Sequence, residues 1–243
     1  MKTKILGVSF DNLLPSQAVK KALSFLDHDT SSTIFTPNPE MVMLAQKDAG
    51  FADILASGDL VIPDGIGIVH ASRLTDNRIT QRVPGIDLLM DLFDNIKDTG
   101  HSVYFLGAAP GVAETAAAKM RGKFPGLIIC GCHHGYFDDA DDDAIIAEIN
   151  DVGSDIVLVG LGFPRQEKWI FRHKSRINAK ILMGVGGSFD ILSGRLRRAP
   201  KIFQQLGLEW LYRLLRQPSR LPRQMVFVKF VILVVYRKIR GEL

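Results

Sequence analysis

The stretch LVIPDGIG, residues 60–67, decides how this chain is read. Leu60, Val61 and Ile62 form a short apolar run, the pattern of a buried strand. Pro63 stops it, since proline has no N–H to give a sheet ladder. Gly65 and Gly67 follow, and an apolar helix is expected over residues 66–74. One carboxylate, Asp64, is thereby set at the C-terminal end of a strand, on a turn with little side-chain bulk. In open α/β sheets ligands bind at that edge. Asp is also a favoured helix cap, so the turn alone leaves both roles open.

The same unit recurs in both directions. Residues 5–10 read as a first strand, and Pro15 opens a helix with Ala18, Ala22, Leu23 and Leu26 on one face. Residues 33–36 form a strand ending in TPNPE, where two prolines hold Asn38 extended. Thr36 and Asn38 are thus polar groups at a second strand end. Beyond Asp64 a polar loop carries Arg82 next to Val83-Pro84-Gly85, and residues 86–97 form an apolar helix. Residues 101–106 are a strand closed by GAAPG at 107–111, and a helix follows over 112–123. A strand, a turn beginning at Gly107 and a helix N-terminus can cradle phosphate, although neither G-x-G-x-x-G nor G-K-[ST] is present.

Residues 127–132 are the next strand, with Cys130 and Cys132 two apart and so expected on one buried face. A C-x-C pair is neither a zinc framework nor a disulfide scaffold, which points to a reducing compartment. HHGYF follows, and Tyr136 offers either a stacking surface for a base or rim packing. The acidic run DDADDDA precedes a helix over 144–152 and reads as a solvated helix start, not as a metal site. Residues 155–159 form a strand leading into GLGFPRQEKWI, where Gly160 and Gly162 let backbone approach a ligand and Gln166 enters a helix. Residues 181–183 lead into GVGGSFD, in which Gly186 bares a strand end and Asp190 is placed to bond a ribose hydroxyl or cap a helix. Alternating strands and helices predict an α/β fold: a Rossmann-like, mostly parallel sheet with helices on both faces. Thr36, Asn38, Asp64, Gln166 and Asp190 would then converge on one edge.

With 47% hydrophobic and 23% charged residues among 243, the composition is that of a globular chain with a sizeable core. The N-terminus runs into strand-like sequence without a leader pattern. The formal charge of +4 hides an asymmetry: residues 195–243 carry twelve Lys/Arg and two acids, whereas residues 1–194 carry eighteen bases and twenty-four acids. We therefore divide the chain into an α/β catalytic domain, 1–194, and a basic C-terminal appendage, 195–243. A helix is expected over 199–216, with Pro218 and Pro222 breaking the pattern. The apolar segment 225–240 is too short in its uncharged run to span a bilayer. Flanked by Arg and Lys, it fits a helix lying on an anionic membrane surface or one packed on the body. Its apolar content argues against nucleic acid as the partner. A dinucleotide oxidoreductase is disfavoured by the missing fingerprint.

The motifs TPNPEMVMLAQKD, DLVIPDGIGIVHAS, RVPGIDLL, VYFLGAAPGVAE, HHGYF, GLGFPRQEKWI, GVGGSFDILSGRLRRAP and LGLEWLYRLLRQPSR resemble, in order, those of the WecG/TagA/CpsF glycosyltransferase family (glycosyltransferase family 26). The resemblance covers nearly the whole chain and is strongest to the TagA-type branch. It implies an inverting, metal-independent transferase without a cofactor. N-acetylmannosamine would move from a UDP donor to undecaprenyl-diphosphate-linked N-acetylglucosamine, in a β1,4 linkage, for wall teichoic acid or a related surface polysaccharide. It implies Asp64 as the base, Arg82 as a loop arginine needed for activity, and Thr36, Asn38 and Gln166 as pocket residues. Arg213, Arg220 and Arg223 would close over the site at the cytoplasmic face of the membrane, and the core could form a homo-oligomer. A different UDP-sugar donor, N-acetylmannosaminuronic acid or glucose, fits the same motifs, and so does a nucleotide-binding module with a membrane-binding tail.

Overall fold

The computed structural model describes residues 2–242, apart from the side chains of residues 220 and 222–224. The chain opens with β1 (Lys2–Ile5) and β2 (Val8–Asp11), then α1 (Pro15–Ser24), β3 (Ser32–Phe35), α2 (Pro39–Ala45), α3 (Ala49–Ala56) and β4 (Leu60–Val61). It continues through α4 (Ile66–Ser72), α5 (Gly85–Ile96), β5 (Ser102–Gly107), α6 (Val112–Lys123), β6 (Ile128–His133), α7 (Asp142–Asp151), β7 (Ile156–Gly160), α8 (Arg165–His173) and β8 (Ile181–Gly184). Four helices complete it: α9 (Ser188–Leu192), α10 (Lys201–Gln205), α11 (Glu209–Arg216) and α12 (Leu221–Ile239).

Six strands pair in the order β4-β3-β8-β7-β5-β6, every pair parallel. Side chains alternate between faces with period two. Val103 and Phe105 enter one core with α1, α5, α6 and α9, while Tyr104 and Leu106 enter the other with α2, α3, α7 and α8. Both faces are covered, which is why the strands read as unbroken apolar runs. Parallel pairing also sends every strand's carboxyl end to one edge.

The structure corrects five expectations, three of them in the body of the fold and two in the C-terminal segment. Residues 5–10 are not a strand of the sheet. Leu6 and Gly7 both take positive φ, +45° and +84°, so the chain reverses in a two-residue turn and β1 and β2 form a separate antiparallel hairpin. Cys130 and Cys132 do not share a face: Cys130 packs against one core and Cys132 against the other. The register of β6 on β5 skips Cys130, pairing Val103 with Ile129 and Tyr104 with Gly131, and one extra residue turns the following side chains over. The acidic run is only partly solvated. Asp142 is buried, accepting hydrogen bonds from Trp169 Nε1 at 2.7 Å and meeting His173 Nε2 at 2.9 Å.

The C-terminal segment is helical and seated on the body. The helix expected over 199–216 is two helices, because Gly207 turns the chain at φ +70° with Ile66 so close that a Cβ would lie 2.8 Å from it. Pro222 does not break α12; it lies in the first turn, where a missing N–H costs nothing. Phe230 and Val234 of α12 are fully buried in the core shared with Val42 of α2 and Ile68 of α4. Phe227 fits against Gly67, where a Cβ would stand 2.5 Å from its ring, and Trp210 stacks on Phe227 at 5.9 Å. The opposite side of α12 exposes Val228, Ile232, Val235 and Ile239. Among the described residues no helix is long and apolar enough to cross a membrane. Truncating a buried Phe usually costs about 3–5 kcal/mol, so Phe230→Ala should lose stability of that order in urea melts. A loss below about 1 kcal/mol, the range of surface changes, would mean that α12 is not part of the core.

Candidate functional site

The strand ends enclose a cleft of about 600 Å³. One wall is the sheet edge: Thr36, Asn38 and Asp64 from the β3 and β4 ends, Gly162 and Gln166 after β7, Gly186 and Asp190 after β8. The facing wall is the loop with Arg82 together with the C-terminal helices, which contribute Glu209, Trp210, Tyr212, Arg213, Arg216 and Phe227. Arg195 and Arg197 stand at the rim.

Asp64 is set by backbone. Its N–H donates to the Pro37 carbonyl at 3.2 Å, and the Val83 N–H donates to the Pro63 carbonyl at 3.2 Å. The β3 and β4 turns and the Arg82 loop are thus laced together. Gly65 follows at φ +135°, with Pro39 3.3 Å from where a Cβ would be. The carboxylate is half-buried in the cleft. Desolvation raises its pKa above the usual carboxylate range; the charges of Arg82 and Arg213 and the Gly85 N–H oppose that rise, and Glu209 adds to it.

Asn38 caps α2, its Oδ1 accepting from the Met41 N–H at 3.1 Å. Gln166 is held at both ends of its amide. Its Oε1 accepts from the Gly186 N–H at 2.9 Å, and its Nε2 donates to Glu167 Oε1 at 2.7 Å. Gly184 leaves the space, since a Cβ there would meet Gln166 Nε2 at 2.8 Å. Asp190 lies 3.7 Å from Arg195.

The cleft therefore gathers Thr36, Asn38, Asp64, Arg82, Gln166, Gly162, Gly186, Asp190 and Arg213. Gly107, Gly160 and Tyr136 lie outside its lining. Gly107 and Gly160 serve close packing: a Cβ on the first would lie 2.4 Å from the Gly160 carbonyl, and one on the second 2.7 Å from Phe189. Tyr136 is 72% exposed. The side chains of Arg220 and Arg223 lie outside the described residues. Among the described residues no three His, Cys, Asp or Glu side chains come together as a metal-binding group.

Two carboxylates of this region escaped the sequence reading. Glu209 sits in the expected tail helix and is the only acid in the basic segment before Glu242, which was the available signal. It bonds Arg82 at 2.6 Å and Arg198 at 3.2 Å. Glu167 carried no signal beyond its neighbour Gln166. It is 1% exposed, its Oε2 has no hydrogen-bond partner, and burial pushes its pKa up to about 7. Between about pH 4.5 and 7 the folded state therefore holds a proton that the unfolded chain has lost, so stability falls as pH rises through that window, by on the order of 3 kcal/mol. Glu167→Gln should flatten this fall and raise Tm at pH 8. An unchanged pH dependence of Tm would show that Glu167 titrates normally.

A family model described as "Glycosyl transferase WecG/TagA/CpsF family" matches residues 3–242. Curated relatives from Staphylococcus aureus strains MRSA252 and MW2 are each 34% identical over 224 residues, covering 91% of this chain and 87% of the relative. Both are named N-acetylglucosaminyldiphosphoundecaprenol N-acetyl-beta-D-mannosaminyltransferase. A match across the parallel sheet, the cleft and the C-terminal helices alike leaves one conclusion: this chain belongs to the WecG/TagA/CpsF family of glycosyl transferases.

Proposed function

We propose that the chain transfers N-acetylmannosamine from its UDP donor to N-acetylglucosamine carried on undecaprenyl diphosphate, with inversion, and that Asp64 is the base. The observation that carries this reading is the seat of Asp64, a desolvated carboxylate facing two guanidinium groups inside the cleft. In a direct displacement the acceptor hydroxyl oxygen attacks the anomeric carbon. The bond to the UDP oxygen breaks, UDP leaves with the electron pair, and Asp64 takes the hydroxyl proton. Desolvation makes the carboxylate a stronger base than it is in water. The negative charge that grows on UDP meets Arg82 and Arg213, with Arg195, Arg197 and Arg216 near the rim. The names of the curated relatives supply the donor sugar and the lipid-linked acceptor.

Turnover read as UDP release from UDP-N-acetylmannosamine, with a short-chain lipid-diphosphate acceptor and EDTA present, tests the reaction. Asp64→Asn should bind UDP as the parent does and lose turnover by roughly 100-fold or more, the scale of a general base. The parent's rate should rise with pH through an acid limb above the ordinary Asp range, because Asp64 must be ionised and its pKa is raised. Turnover of the asparagine variant near the parent's would transfer the base role to another group. Release with a different UDP-sugar alone would replace the donor.

The exposed face of α12 gives the lipid acceptor its context. Val228, Ile232, Val235 and Ile239 stand outward with Lys229, Lys238 and Arg240 exposed beside them. An apolar face edged by cations suits an anionic membrane surface. Ile232→Asp combined with Ile239→Asp should abolish sedimentation with phosphatidylglycerol vesicles and leave the fold intact. Unchanged sedimentation would place membrane contact elsewhere.

A further inference from the structure

We propose that Glu209 is a positioning residue: it fixes the Arg82 guanidinium on the cleft wall, and it can do so only while the C-terminal helices are seated on the body. The proposal rests on the reading of Asp64 and Arg82 as groups at the reacting site. Nothing in the roles assigned above requires an acid on the tail.

Four side chains form a chain of alternating charge. Arg82 Nη2 donates to Glu209 Oε2 at 2.6 Å, and Arg198 Nε donates to Glu209 Oε1 at 3.2 Å. Arg198 in turn grips Asp87 of α5 with both terminal nitrogens, the Nη2 to Oδ2 distance being 2.8 Å. Each Glu209 oxygen therefore holds one arginine, and the carboxylate is 12% exposed against 14% for Arg82. Among the described residues Glu209 is the one carboxylate within ion-pair distance of Arg82. Arg82 comes from a segment without regular structure, between α4 and α5, and a long guanidinium side chain on such a loop has many rotamers available. Its partner is 127 residues away in sequence.

The tail brings Glu209 to the cleft by packing rather than by charge. Gly207 reverses the chain against Ile66, and Glu209 opens α11 two residues later. Trp210, next along, stacks on Phe227, which lies on Gly67. These contacts fall on the helix that follows Asp64. Seating the tail and orienting Arg82 are thus one event, and Asp64 faces Arg82 from the loop and both Arg213 and Glu209 from α11.

The experiment compares the full-length parent with Glu209→Ala and Glu209→Gln. It reads kcat and donor KM across pH, and hydrogen–deuterium exchange over residues 80–86 and 201–216. Glu209→Ala should lower kcat by roughly 100-fold, the scale of a misplaced site group, while exchange in both segments speeds up. Glu209→Gln keeps a hydrogen-bond acceptor for Arg82. It should retain most of kcat and move the acid limb to lower pH, because the negative charge that raises the Asp64 pKa is gone. A kcat for Glu209→Ala within about twofold of the parent, with no change in exchange, would overturn the proposal. So would full loss in both variants at parental exchange, which is the behaviour of a group that touches substrate. If the parent turns over no UDP-sugar, the reaction assigned above fails on its own. The exchange arm still decides the seating, faster exchange in Glu209→Ala supporting it and unchanged exchange overturning it.

Discussion

Parallel pairing admits only one sense of strand direction, and the rest of the molecule depends on that constraint. The carboxyl ends of six strands open on one edge. The loops that leave those ends carry Thr36, Asp64, Gln166 and Asp190 to a common cleft from positions more than a hundred residues apart. Because helices cover both faces, polar side chains stand beside backbone at the strand ends, and those at the carboxyl ends line the cleft. The glycines at these ends have different physical jobs. Gly184 and Gly186 make room for, and donate to, the Gln166 amide. Gly107 and Gly160 allow neighbouring strand ends to meet.

A sheet edge alone is an open shelf. The C-terminal helices make it a cleft, and their attachment divides into an apolar and an ionic part. Phe230 and Val234 are core residues in every sense, with burial equal to that of the strands. Nearer the cleft, Phe227 on Gly67 and Gly207 on Ile66 press the tail against the helix that follows Asp64. The chain Arg82–Glu209–Arg198–Asp87 then joins that helical wall to the opposite loop. Ion pairs of this kind add little net stability when both partners are removed, and cost much when one is left alone. Their value here is geometric: they fix which way a long arginine points.

The electrostatics of the cleft follow from its closure. Withdrawing Asp64 from water favours its neutral form, and Arg82 and Arg213 pull in the other direction. Burial raises the Glu167 carboxyl too, to about 7, with only hydrogen bonds opposing the rise. Two carboxylates near one strand edge are thus both raised by burial, and they differ in what opposes the rise: arginine charge at Asp64, hydrogen bonds at Glu167. One lines the cleft, and the other accepts from the amide of Gln166.

The apolar runs, their spacing and the Pro and Gly punctuation determine the α/β alternation, because a strand buried on both faces must be apolar throughout. That alternation and parallel pairing together place Asp64, Gln166 and Asp190 on one edge, so the convergence was readable from local signals. So was the charge split that sets the tail apart. What local pattern could not carry was anything fixed by contact between distant segments. The Leu6-Gly7 reversal shows only in positive φ, and the Cys130 bulge only in the register against β5. The burial of Asp142 depends on Trp169 and His173, and the role of Glu209 on Arg82 and Arg198. A lone acid in a basic helix looks solvated in one dimension. Only the packing of Gly207, Phe227 and Phe230 against the body removes its water and leaves two arginines as its partners.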